Sequence, residues 1–348
     1  MSSMDLTTEQ GMQTYLRSNL YPTCHKVKRL PEGYGSFVYR VWQDDNSSPP
    51  TMIAKHSANY AARAPGWKLD QTRLGYEYAA LALLSQPPFH HPGIRVPATY
   101  HFLKHHWLLL LEDLGPLPSV KSYLAPGLST SQASTIGTIL GSYLANIHNN
   151  TSTNNATILS QFSGNETART LSSSFYFTQL PAIAAEHGYS GPHIQTAADQ
   201  AIHDINHGNE VLTLGDFWTG NVLIDPEALE LYVIDLELAK PGTADFDIGQ
   251  MAAEMYFVAA FRDHTLGMAA LRAYFQAYRA QRQEKVDVAK VAIRIAAHIF
   301  VIGTRYWQAD ADAQNFKKQL VVADELLRLG VARDENALRD TIVGSLIS

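Results

Sequence analysis

The segment Leu212-Thr213-Leu214-Gly215-Asp216-Phe217-Trp218-Thr219-Gly220-Asn221-Val222-Leu223-Ile224, followed by Tyr232-Val233-Ile234-Asp235-Leu236-Glu237, carries the densest chemistry in the chain. Asp216 ends an apolar run, Asn221 follows across a glycine-containing loop, and Asp235 ends the next apolar run. As strand ends, the three positions converge on one edge of a small sheet. Phosphoryl transfer from ATP asks for such a set, because its transition state needs positioning and charge neutralisation rather than covalent work from the protein. Asp216 then accepts or orients the proton of an acceptor hydroxyl, and Asn221 and Asp235 supply hard oxygen ligands to Mg²⁺. Asp-x4-Asn is equally the pattern of a turn capped by polar side chains, and aspartate at a strand end is commonplace.

Upstream residues add to the set. Glu32-Gly33-Tyr34-Gly35-Ser36 falls between strands, and glycines there let backbone N–H groups approach phosphates, which makes Gly33, Gly35 and Ser36 nucleotide-binding candidates. Taken alone, Gly-x-Gly between strands is more often only a hairpin. Met52-Ile53-Ala54-Lys55 reads as a strand with Lys55 turned toward core or cleft. A helix over 70–84 has Leu74, Tyr78, Leu81 and Leu84 as its apolar stripe, with Glu77 on or beside it. A carboxylate entering a buried face is costly unless a cation meets it, so Lys55 is expected to pair with Glu77 and to aim its ammonium at phosphates. Two unrelated snorkelling side chains are the alternative. Trp107-Leu108-Leu109-Leu110-Leu111 runs into Glu112-Asp113-Leu114-Gly115, where the backbone of Glu112, Asp113 and Leu114 can hydrogen-bond a base, or where a buried strand simply ends in a turn.

The elements that must hold these side chains are unevenly divided. A helix over 7–20, capped by Thr7 with Gln10 three residues on, precedes strands within 27–54, the helix over 70–84, and strands near 95–103 and 107–112. Beyond Gly115 helical periods dominate: 131–149, about 172–187 and three stretches between 247 and 330, with short strands at 211–215, 221–224 and 231–235. The expected fold class is α+β in two lobes around one cleft. Residues 1–112 form a small antiparallel β-rich N-terminal lobe, and residues 113–348 a larger, mainly helical C-terminal lobe.

Composition narrows the partners. Lys plus Arg number 27 against 33 Asp plus Glu, for a net charge of −6 with no basic run, which disfavours nucleic acid and anionic membranes. The single cysteine, Cys24, excludes an intramolecular disulfide and argues against a cysteine-based metal site. The first residues lack the pattern of a signal peptide and no apolar run reaches the length of a membrane span, so a cytoplasmic protein is expected. The Asn-x-Ser/Thr matches starting at Asn46, Asn150, Asn155 and Asn165 are then chance occurrences. A monomer is expected, with a homodimer as the alternative.

The glycine-rich hairpin, Ala54-Lys55, Glu77, Glu112-Asp113-Leu114-Gly115, Gly215-Asp216-x4-Asn221 and Ile234-Asp235-x-Glu237, in that order over about residues 28–260, resemble the aminoglycoside phosphotransferase and choline kinase superfamily. Within it, Gly215-Asp216-Phe217-Trp218-Thr219-Gly220-Asn221 and Ile234-Asp235-Leu236-Glu237 are similar to fungal small-molecule kinases, with methylthioribose kinases more distant. The resemblance implies a protein-kinase-like fold and ATP and Mg²⁺ as cofactors. It implies that Asp216 is the catalytic base, that Asn221 and Asp235 hold the metal, and that Lys55, oriented by Glu77, holds the ATP phosphates. Asp247 either braces the catalytic loop or is a plain helix cap. The implied acceptor is the hydroxyl of a small metabolite: an amine-bearing alcohol or phenol of the hydroxytryptamine kind, or an aminoglycoside or sugar.

Leu214 departs from the family, which usually has histidine there. That histidine supports loop geometry, so no reacting group is lost. A catalytically impaired nucleotide-binding pseudokinase, acting as an interaction protein, is the alternative function. A protein kinase is disfavoured, because Ile234-Asp235-Leu236-Glu237 stands where Asp-Phe-Gly would be and no Ala-Pro-Glu motif follows. Glu237, Tyr306 and Trp307 are candidate acceptor contacts. His148 is expected to pack beneath the catalytic loop, and His298 and Phe300 to belong to the core. Which of Asp45, Glu237, Glu254, Arg294, Arg305, Asp310 and Asp312 face the acceptor stays open.

Overall fold

The computed structural model describes residues 4–31, 33–152, 155–307 and 312–347. Glu32 and Asp310 lie outside the described residues. The fold is α+β, and the chain divides into two compact units, Met1–Gln86 with Val96–Leu117 and Pro87–Arg95 with Pro118–Ser348.

The first unit opens with α1 (Glu9–Asn19), capped by Thr8, whose side chain accepts from Gly11 N. The cap falls one residue later than the Thr-x2-Gln pattern predicts because Asp5 engages Thr7 instead: Asp5 Oδ1 accepts the Thr7 hydroxyl at 2.6 Å and the Thr7 N–H at 2.9 Å. Strands β1 (Lys26–Arg29), β2 (Phe37–Trp42) and β3 (Thr51–His56) form a meander, followed by the small ribbon β4 (Tyr60–Ala61) and β5 (Ala64–Lys68), and by helix α2 (Arg73–Leu84). After β6 (Ile94–Arg95), which pairs in the second unit, β7 (Thr99–Leu103) and β8 (Leu108–Glu112) complete an antiparallel sheet in the order β1-β2-β3-β8-β7. Tyr39, Val41, Met52, Ala54, Leu108 and Leu110 bury one face of that sheet against Met12 and Leu16 of α1. The buried face of α2 is Arg73, Leu74, Glu77, Ala80, Leu81 and Leu84. Tyr78, expected in the stripe, is 37% exposed and stacks on Phe102 with ring centroids 4.8 Å apart.

The second unit is mainly helical. Helices α3 (Val120–Tyr123), α4 (Thr130–Asn150), α5 (Ala156–Phe162), α6 (Glu166–Ser172), α7 (Leu180–Glu186) and α8 (Pro192–His207) precede the strands β9 (Val211–Thr213), β10 (Val222–Asp225), β11 (Glu230–Val233) and β12 (Lys240–Gly242). Helices α9 (Asp245–Phe261), α10 (His264–Gln281), α11 (Val288–His298) and α12 (Ala313–Ala332) follow, one more than the three stretches expected. Ser129 and Gln132 form a capping box on α4. Gly137 and Gly141, one turn apart on α4, let it lie on α10: a Cβ at either would sit 2.2 Å from the carbonyl oxygen of Ala270 or Tyr274. Helix α9 is apolar around most of its circumference and buried from Asp245 to Ala259, as a central helix should be. Two segments, Ser173–Thr178 and Ile299–Trp307, are wound as π-helix, a form that in proteins concentrates at functional sites.

Candidate active site

In the first unit the turn between β1 and β2 carries Gly33, Gly35 and Ser36. A Cβ at Gly33 would lie 2.6 Å from Ser36 O, so the close turn admits no side chain there. Arg73, fully buried at the start of α2, fastens the turn: its Nη2 donates to Gly35 O at 2.8 Å, and its Nη1 to Asp70 O at 2.7 Å and Ala58 O at 3.3 Å. Ser36 Oγ lies 3.1 Å from Ser57 Oγ just beyond β3. A planar guanidinium serving several carbonyls at once makes this hairpin turn a fixed one. Lys55 stands opposite Val38 on β2 and Leu109 on β8. Its Nζ is 2.7 Å from Glu77 Oε2, with the two side chains 8% and 2% exposed, so the expected pair is present. At the end of β8, Glu112 donates its N–H to Ala98 O at 2.8 Å and accepts the Ala98 N–H on Oε2 at 2.9 Å. Asp113 pairs with Arg40 Nε at 2.8 Å and accepts from Gly115 N at 3.0 Å, which fixes the chain on either side of the half-buried Leu114.

In the second unit the register of one hairpin decides the chemistry. Val222 pairs with Val233, and Ile234 N donates to Asn221 O at 3.0 Å, so Asn221 and Asp235 arrive side by side. Asp235 sits in the left-handed region at φ +61, uncommon for a residue with a side chain and a form of strain that clusters at functional sites. Asp216 follows β9 after Gly215, whose φ of +83 and a Cβ position 2.0 Å from Leu238 O both demand glycine. Asn221 Nδ2 donates to Asp216 Oδ2 at 2.8 Å and to Asp216 O at 3.0 Å, and Gln250 Nε2 donates to Asp216 Oδ1 at 3.0 Å. Burial, and then the neighbouring Asp235 carboxylate, push Asp216 up to about 7 against the hydrogen bonds from Gln250, Asn221 and Trp218.

The loop is held from beneath by Asp247. Its two carboxylate oxygens accept Leu214 N at 2.7 Å and Gly215 N at 3.0 Å, so it is a brace and not a cap; the residue capping α9 is Ala244. His148 lies fully buried with Nε2 3.6 Å from Asp247 and Nδ1 2.7 Å from Tyr278 OH. Burial holds its pKa below the ordinary value. Leu214, itself buried, contributes only its backbone to this bracing, so a histidine side chain is not required for it.

Residues 26–287 match the phosphotransferase enzyme family, APH. The chain belongs to this family. The 4-hydroxytryptamine kinase of Psilocybe cubensis is 30% identical over 342 residues, covering 92% of this chain and 93% of that kinase. Two solved structures share the fold. Spectinomycin phosphotransferase, in complex with ADP and spectinomycin, matches with a TM-score of 0.51 and 13% identity over 94% of this chain and 99% of that one. The ethanolamine kinase of Plasmodium vivax matches with a TM-score of 0.52 and 12% identity over 96% of this chain and 93% of its own. The chain is accordingly an ATP-dependent small-molecule phosphotransferase acting on a hydroxyl.

The phosphotransferase unit around Asp216 also contains residues that the sequence did not single out. Gln250 Nε2 bonds Tyr176 OH at 2.8 Å as well as Asp216, and the Tyr176 ring stacks on His298 at 5.8 Å. His298 Nε2 is 3.0 Å from Glu254 Oε1, so this core histidine partners a buried carboxylate. Trp307, fully buried, also donates to Glu254, whereas Tyr306 is 58% exposed and stands apart from that contact. Phe300 is a core residue, edge-on to Tyr189 at 5.4 Å. Glu237 is half-buried, and its carbonyl accepts from Asn165 Nδ2 at 3.0 Å; the same amide bonds Ala239 O at 2.9 Å. Asn165 is 1% exposed, so this Asn-x-Thr match is structural. Among the described residues no helix is long and apolar enough to cross a membrane.

Proposed function

We propose that this phosphotransferase transfers the γ-phosphate of ATP to the hydroxyl of a small amine-bearing alcohol or phenol. The observation that carries the reading is Asp216: a carboxylate clamped on both oxygens by Asn221 and Gln250, and raised to about 7 by burial and by Asp235. A group with that value is matched to accepting a hydroxyl proton near neutral pH. The acceptor class is supported by the relatives, a 4-hydroxytryptamine kinase and an ethanolamine kinase, both named for amines that carry a hydroxyl. An aminoglycoside or sugar acceptor is the second reading, supported by the fold shared with spectinomycin phosphotransferase.

In this reading Lys55, held by Glu77, binds the ATP phosphates, and the Gly33–Ser36 turn presents backbone N–H groups to them. The backbone at Glu112, Asp113 and Leu114 meets the base. Asn221 and Asp235 hold Mg²⁺: the Asp235 carboxylate raises the cost of ionising Asp216, and an oxygen-only donor set beside them suits a hard divalent cation. When bound, the metal neutralises phosphate charge. Glu237 and Tyr306 are assigned to the acceptor side with Trp307. Residues 1–112 and 113–348 act as nucleotide and acceptor lobes, and the protein works as a cytoplasmic monomer. The bracing of Leu214 by Asp247 weighs against the pseudokinase alternative.

The test is a phosphorylation screen with ATP and Mg²⁺ against hydroxytryptamines, ethanolamine and spectinomycin, read as a mass gain of one phosphate. One acceptor is expected to be turned over, with Asp216→Asn lowering the rate at least ~100-fold. If Asp216→Asn retains most of the activity, the assigned base is wrong.

A further inference from the structure

Glu254 of α9 is 1% exposed, and among the described residues four side chains meet its carboxylate. His298 Nε2 at 3.0 Å and Trp307 Nε1 at 3.4 Å meet one oxygen. Thr219 Oγ1 at 3.3 Å and Lys121 Nζ at 3.7 Å meet the other. The same Lys121 ammonium lies 4.3 Å from the ring centroid of Trp307 and 5.2 Å from that of Trp218. One ammonium therefore rests against two indole faces and one buried carboxylate, contacts of the kind that an alkylammonium makes.

Of these parts only the lysine side chain is free to leave. The backbone at Lys121 is fastened, since Arg262 Nη1 donates to its carbonyl and Ser119 caps the short helix α3. Arg262 itself lies 4.7 Å from the Trp307 centroid but is committed to that carbonyl. The Lys121 side chain is 24% exposed and hangs on a flexible four-carbon stem, so it can swing into water without moving the helix. Trp218 links this place to the chemistry, because it follows Asp216 by two residues on the same loop and its ring lies against the ammonium.

We propose that Lys121 is an internal stand-in for the acceptor: its ammonium keeps the place of the acceptor's own ammonium between Trp218, Trp307 and Glu254, and acceptor binding exchanges one cation for the other. The proposal rests on the kinase reading above and adds to it the place of the amine and the means of its selection. A buried carboxylate gains from a nearby cation, and beside His298 the Lys121 ammonium supplies one in the free protein. A cationic acceptor replaces the lysine contact for contact. A neutral acceptor finds the indole faces already covered, and displacing Lys121 would leave Glu254 with His298, Trp307 and Thr219 but without the ammonium.

Calorimetric titration with tryptamine, an ammonium that lacks the acceptor hydroxyl, reads this site without turnover. Lys121→Met is expected to bind tryptamine about tenfold more tightly than the unaltered protein, the size of one partly desolvated cation–π contact removed from competition. Glu254→Gln is expected to bind it at least ~10-fold more weakly, and the neutral 3-ethylindole to show neither change. Unchanged or weaker tryptamine binding by Lys121→Met makes Lys121 a fixed counter-ion and overturns the proposal. Should that variant fail to fold, the pair Lys121→Met with Glu254→Gln, which restores neutrality, must lose the preference for tryptamine over 3-ethylindole; a retained preference likewise overturns it. Failure here leaves the kinase reading intact, since that stands or falls on Asp216→Asn in the phosphorylation screen.

Discussion

Lys240 lies 1% exposed, with its Nζ 2.9 Å from Ser172 Oγ and 4.6 Å from the ring centroid of Phe246. Burial pulls its pKa from the ordinary 10.5 down to about 8, against the attraction of Asp247 and Asp216. Between those two values the unfolded chain holds the proton and the folded protein does not, so stability from this group rises with pH across the window. It is fully present above 10.5 and is lost as pH falls through 8. Chemical denaturation of the unaltered protein and of Lys240→Met, compared from pH 7 to 11, should show a difference that shifts by on the order of 3 kcal/mol in favour of the lysine form. A flat difference would mean that the lysine is not desolvated. Lys55 was legible in the sequence because Glu77 sits in a helical pattern facing the same way. Lys240 was not, because Ala239-Lys240-Pro241-Gly242 has the composition of an exposed turn and is buried through its pairing with β9 and its packing against Ser172 and Phe246.

At the scale of elements, the loop that carries Asp216 hangs from a helix. Asp247 stands in the first turn of α9 and accepts two backbone N–H groups of the loop from a fully buried position. Asp247→Ala leaves both donors buried without a partner, at about 1–3 kcal/mol each. The variant should therefore lose roughly 2–6 kcal/mol in urea unfolding and, where folded, should lose kcat more than KM if Asp216 on that loop is the base, as proposed. Equal loss in both would point to a merely destabilised protein. Helices α1, α2 and α4 could be placed from apolar period, α4 within one residue at each end, whereas α8 was not anticipated. The π-wound segments were invisible, because a π turn changes which carbonyl each N–H meets without changing the residue types that bury it. Those segments carry Tyr176 and Trp307, so the winding that the sequence hides is also what aims two aromatic side chains at the site.

For the molecule as a whole, ligand binding gives the accessible measurement. If the chain binds ATP with Mg²⁺ through Lys55, Asn221 and Asp235, nucleotide at a hundredfold over its Kd stabilises the fold by about 2.7 kcal/mol, which should appear as a rise of a few degrees in Tm. Replacing Mg²⁺ with a chelator should remove most of that rise, and Asp235→Asn should remove its metal-dependent part. A chelator with no effect would rule out the metal assignment. With Cys24 as the only cysteine, reductant should leave both curves unchanged.

The sequence by itself determined which side chains were available for phosphoryl transfer, their order along the chain, the uneven division into strands and helices, and the inward faces on which Lys55 and Glu77 lie. Local periodicity is enough for these, because the face on which a residue lies follows from spacing within one element. Tertiary structure alone decided which distant residues meet: Arg73 with the carbonyl of Gly35, Gln250 with Asp216, and Lys121, Trp218, Glu254, His298 and Trp307 around one ammonium. Each of these contacts depends on strand register and on the packing of elements far apart in the chain, and no local pattern of residues encodes either.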